Sequence, residues 1–107
     1  VVPAAGGDAG VVFLLDAGGE ELQLAAQVGF GAPLVSAWRR MPLASRTPIA
    51  HATRDEQPVL IAGFHDWSAR FDPMAVRAAL GAGYEGFAAI PLVVDGRALG
   101  AAGISFR

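Results

Sequence analysis

The feature that most constrains this chain is its last quarter, 86–106, reading GFAAIPLVVDGRALGAAGISF: two apolar runs joined by Asp95-Gly96. Asp-Gly between apolar runs specifies a two-residue type I′ turn, because both central positions need positive φ. Pairing outward from that turn places Val94 against Arg97, Leu92 against Leu99 and Ile90 against Ala101 on one face. Val93/Ala98, Pro91/Gly100, Ala89/Ala102 and Phe87/Ile104 fall on the other. Both faces are apolar, which predicts a central position in a sheet covered on both sides. Proline inside such a strand removes a ladder donor, so the register predicts a kink where Pro91 faces Gly100.

A chain of 107 residues has the length of one domain with a modest core. It is 53% hydrophobic and 17% charged, with net charge −2. All eight basic residues are arginines scattered along the chain, so there is no basic stripe of the kind nucleic acid requires. This Lys-free, Ala/Gly/Arg-rich composition points to a GC-rich bacterial genome. The absence of cysteine excludes disulfides, thiolate zinc sites and thiol catalysis. The longest apolar run is about half of a bilayer span, predicting no membrane insertion. With Val rather than Met at position 1 and no visible signal peptide, the chain reads as a cytoplasmic domain, 1–107, cut from a longer protein, with 1–8 the remnant of a linker.

Val11–Leu15 is an apolar run, Asp16-Ala17-Gly18-Gly19 a turn, and Leu22–Val28 alternates with period two. A second hairpin follows from this, with Leu22, Leu24, Ala26 and Val28 sharing one face. Pro33 opens a short helix in which Leu34, Ala37, Trp38 and Met41 form a stripe. Thr47-Pro48 is an N-cap followed by proline at the first helical position, starting a helix that runs to about Arg54. Pro58–Ala62 is a short strand, and Asp72-Pro73 opens a helix to about Leu80, stopped by Gly81 and Gly83. The predicted class is α+β: a central, largely antiparallel sheet of about five strands with short helices packed on it.

In this order and spacing the chain resembles the GAF domain family of small-molecule sensors. Ala9–Leu15 (AGVVFLL) and Leu22–Gly29 (LQLAAQVG) look like the first two GAF strands. Met41-Pro42-Leu43, the 47–54 helix and Glu56-Gln57-Pro58-Val59 resemble the family's "PL…G-x-A…g-x-P-V" stretch. Phe87–Leu92, Asp95-Gly96 and Arg97-Ala98-Leu99-Gly100 resemble its closing "VPL…G…G-x-L" hairpin. The likeness covers about Asp8 to Phe106. It implies a GAF/PAS-like fold, although the family's helices before the first strand and after the last are not found here, which predicts one sheet face without its usual cover.

The same resemblance directs attention to 63–71, the lid region of GAF pockets. His65 lies beside Asp66, between Phe64 and Trp67, with Phe71 beyond. An aromatic wall with a titratable imidazole suits a planar ligand. The resemblance therefore nominates Trp38, Phe64, His65, Trp67, Phe71 and Tyr84 as pocket lining. The plainer alternatives stay open: a surface loop whose aromatics tuck onto the sheet, and Trp38 as core. His51, on the 47–54 helix, reads as a solvated surface residue. Asp72 is explained by capping, which removes the Asp66/Asp72 pair as acid/base candidates. No serine sits in a G-x-S-x-G elbow, and Gly29-Phe30-Gly31 is no phosphate loop. Arg39-Arg40 and Arg46 read as exposed arginines. Without Asn or Lys the chain lacks the family's cyclic-nucleotide signature, and without Cys it lacks bilin attachment, iron–sulfur ligation and methionine sulfoxide reductase chemistry. Haem would have His65 alone, since Phe71-Asp72-Pro73-Met74 carries no histidine.

The expected role is a non-catalytic sensory or regulatory domain of a bacterial signalling protein, homodimeric, acting on an output domain of its own chain. A histidine kinase leads the candidates, followed by a phosphatase, a cyclic-dinucleotide enzyme or a transcription regulator. The alternative is a ligand-free dimerisation spacer.

Overall fold

The structure, a computed structural model, describes residues 9–29, 39–62, 71 and 86–106. These form strands β1 (Ala9–Leu15), β2 (Glu21–Val28), β3 (Arg40–Pro42), β4 (Val59–Ile61), β5 (Gly86–Val94) and β6 (Arg97–Phe106), with helix α1 (Pro48–Asp55) between β3 and β4. The sheet has six strands in the order β3-β2-β1-β6-β5-β4, every neighbouring pair antiparallel. It is thus an α+β fold with one strand more than expected. The added strand is β3, whose Met41 pairs with Leu22. Met41 was expected in a helical stripe with Leu34; its pairing with β2 overrides that periodicity, and Arg39 O accepts the Leu24 N–H to extend the contact. The remainder of that predicted helix, and the helix expected at 72–80, lie outside the described residues.

Both turns form where the sequence places them. Asp95 and Gly96 have φ of 52° and 77°, the double positive of a type I′ turn. In the first hairpin Asp16 Oδ1 accepts the amides of Glu20 and Glu21 at 3.2 and 3.4 Å, while Gly19 takes the left-handed position at φ 70°.

The side-chain registers depart from simple alternation at two bulges. Val12 pairs with Ala26 but Phe13 with Leu24, so Ala25 is an extra residue. Leu22 and Leu24 therefore share the face of Leu15 and Phe13, while Ala26 and Val28 join Val12 and Gly10 on the opposite one. Leu22 is fully buried and Val28 is 55% exposed. In the closing hairpin Val93 pairs with Ala98 but Leu92 with Gly100, so Leu99 is extra. Beyond it every pairing is offset by one from expectation: Pro91 faces Ala101, Ala89 faces Gly103 and Phe87 faces Ser105. The irregularity sits at Leu99-Gly100, not at a Pro91/Gly100 pair.

α1 packs on one face of the sheet. Thr47 Oγ1 caps it by accepting from Ala50 N–H at 3.3 Å and lies 3.1 Å from Met41 Sδ, to which it donates. Ile49, Ala50 and Ala52 are buried against a core containing Phe13, Leu22, Met41, Val59, Ile61, Phe71, Ala89 and Ala101. Arg54 donates to the carbonyls of Leu43 and Ser45, tying the last turn of α1 to the loop before it. The hairpin does lie inside the sheet, but cover on both faces is not found among the described residues: on the face opposite α1, Leu14 is 41% and Ile90 47% exposed. No described helix is long and apolar enough to cross a membrane.

Candidate functional site

The side chains relevant to a site gather between α1 and the sheet. α1 turns Ile49, Ala52 and Thr53 inward, and the Thr53 hydroxyl donates to Ile49 O at 2.9 Å, which satisfies it within the helix. Below them the Phe87 ring crosses Gly103: a Cβ added there would stand 2.4 Å from Phe87 Cζ and 3.0 Å from Ile49 Cδ1. Glycine at this position lets β6 approach ring and helix together.

His51 is half-buried rather than solvated. Its ring stands edge-on to Phe71, with centroids 5.2 Å apart and planes at 73°. Phe71 is 2% exposed and belongs to the core cluster. It is the one nominated pocket residue within the described residues; Trp38, Phe64, His65, Trp67 and Tyr84 lie outside them. The His51–Phe71 contact joins residues 20 apart in sequence, and no periodicity or motif announces it.

Chemically, the Thr47 and Thr53 hydroxyls are committed. Thr47 serves cap and Met41, Thr53 serves the helix backbone, and no buried side-chain polar atom among the described residues lacks a hydrogen-bond partner. No three His, Asp or Glu side chains among them converge as metal ligands would. Of the arginines read as exposed, Arg40 pairs with Glu21 at 3.6 Å on the surface, a contact worth about 0–1 kcal/mol. What the described site offers is an apolar bed with one imidazole at its edge.

A sequence model of the GAF domain matches residues 1–106. The chain belongs to the GAF domain family. Solved structures agree on the fold. A domain described as part of a two-component sensor histidine kinase from Sinorhizobium meliloti 1021 superposes with TM-score 0.74 at 20% identity, over 97% of this chain and 63% of that one. The GAF domain of an Acinetobacter phosphoenolpyruvate-protein phosphotransferase gives 0.75 at 16% identity, over 98% and 58%. A free methionine-R-sulfoxide reductase from Neisseria meningitidis, in complex with its substrate, gives 0.72 at 21% identity, over 97% and 55%. This GAF chain therefore spans less than two thirds of each of these three structures. No curated protein matches it significantly.

Proposed function

We propose that this GAF domain is a non-catalytic sensory or regulatory module of a bacterial signal-transduction protein. In this reading it resides in the cytoplasm, binds a small molecule, dimerises, and controls an output domain on the same chain, foremost a histidine kinase. The family match over residues 1–106 carries the proposal. The histidine kinase origin of one structural neighbour supports the choice of output. Cysteine-free composition speaks against thiol-based reductase chemistry.

The ligand would be lined by Trp38, Phe64, His65, Trp67, Phe71 and Tyr84. Occupancy would act by favouring one of two arrangements of the surrounding elements, and only to the extent that the ligand binds them with different affinity. Native mass spectrometry of protein purified from cells tests this: a retained small-molecule mass supports sensing, and a clean apo species overturns it.

One observation favours a second reading, the ligand-free dimerisation spacer. Leu14, Val28 and Ile90 expose 41%, 55% and 47% of their surface on the sheet face opposite α1. A clean apo dimer in the same experiment is its signature.

A further inference from the structure

Glu56 occupies the left-handed position that ends α1, with φ 53° and ψ 39°. Helices ordinarily place glycine or asparagine at such a position, because a Cβ is strained there. An unfavourable backbone choice persists where something else in the structure determines it. Here the carboxylate reaches across 42 residues: Ala98 N–H donates to Glu56 Oε2 at 3.2 Å.

Ala98 stands at a structural junction. Pairing of β6 with β1 stops at Leu14–Gly100, and pairing of β5 with β4 stops at Val59–Ala89. From Val93 to Ala98 the hairpin is consequently a two-stranded ribbon projecting beyond the sheet, separated from it by the extra residue Leu99. Two strands alone are marginal in water. Val93, Val94 and Leu99 are 46%, 53% and 45% exposed, whereas Ala98 is half-buried. Among the described residues, Glu56 supplies the one side-chain hydrogen bond that the ribbon receives from outside itself.

We propose that Glu56 is a clip fastening the overhanging ribbon 93–99 to the end of α1, and that its release frees the ribbon as a unit without opening the six-stranded sheet. The device makes the ribbon's position depend on the end of α1, so that the exposed apolar side chains of Val93, Val94 and Leu99 move with it. It stands independently of whether the domain binds a ligand.

Amide hydrogen exchange, followed by NMR on the 107-residue chain, tests it with two variants. Glu56→Gly removes the carboxylate and relieves the left-handed backbone; Glu56→Ala removes the carboxylate and keeps the strain. The clip predicts that both raise exchange at Ala98 by about fivefold, while amides of Ala101–Ser105 keep their rates. It also predicts that Glu56→Gly melts no lower than the parent, which separates loss of the clip from loss of the fold. Unchanged exchange at Ala98 in Glu56→Gly, or an equal rise along the whole of β6, would overturn the proposal.

Discussion

Gly100 presses its backbone against Phe13: a Cβ at position 100 would stand 1.9 Å from the Phe13 carbonyl oxygen and 2.9 Å from Leu14 Cα. The two strands at the centre of the sheet can meet here only because residue 100 has no side chain, and the adjacent bulge at Leu99 delivers that residue to the contact.

Gly100→Ala is therefore expected to destabilise the domain by at least about 3 kcal/mol, since the atoms in the way are backbone and cannot rotate aside. Gly96→Ala is the control. Its Cβ would meet nothing within 4 Å, so only the left-handed conformation at φ 77° penalises it, by about 1 kcal/mol. Chemical denaturation of the two variants should show this gap.

The bulge at Ala25 is open to a similar comparison. Strict alternation would give Leu22 and Val28 equivalent surroundings. Because the extra residue separates their faces, Leu22→Ala should lower stability by about 3 kcal/mol and Val28→Ala by less than about 0.5. Equal losses in urea unfolding would mean that β2 runs without the bulge.

Thr47→Ala removes the N-cap of α1 and the donor to Met41 Sδ at one stroke. A loss of about 1 kcal/mol is expected, read as a lowered melting temperature, with Thr47→Ser recovering most of it.

Trp67→Ala and His65→Ala should each diminish the small-molecule mass retained in native spectra while leaving far-ultraviolet circular dichroism and cooperative melting intact. Unfolding of both variants would make these residues core and end the pocket proposal.

Ile90→Asp places a charge on the exposed sheet face, where Ile90 is 47% accessible. If dimers form through that face, sedimentation should show the variant as a monomer with its melting temperature little changed. A dimer that survives the substitution excludes this surface as the interface.

Local chemistry made much of the fold legible. Asp95-Gly96 declares its turn through backbone conformation alone, and Thr47-Pro48 declares the start of α1 through capping. Those signals need no knowledge of distant residues. The bulges at Ala25 and Leu99 do, because an extra residue is tolerated or required by the neighbouring strands, and neither position carries a distinguishing side chain. Met41 shows the same limit: its spacing from Leu34 and Trp38 fits a helix, yet pairing with Leu22 decides its conformation. Of the candidate site, the aromatics at 64–71 are nominated by family likeness rather than by spacing, and of them only Phe71 lies within the described residues. His51 went unread as a packed residue because its partner Phe71 arrives from 20 positions away.

Ala9, at the start of β1, pairs with Ser105 near the end of β6, so the chain enters and leaves this sheet at one end of two adjacent strands. Tension applied through the chain on either side would load that ladder one residue pair at a time, from Ala9–Ser105 inward, and peel it like a zipper instead of shearing all its hydrogen bonds together. The sheet should thus yield at low force when its two leads are drawn apart. A rotation of one lead relative to the other would pass directly into the β1–β6 seam, against which Phe13 and Gly100 are already pressed.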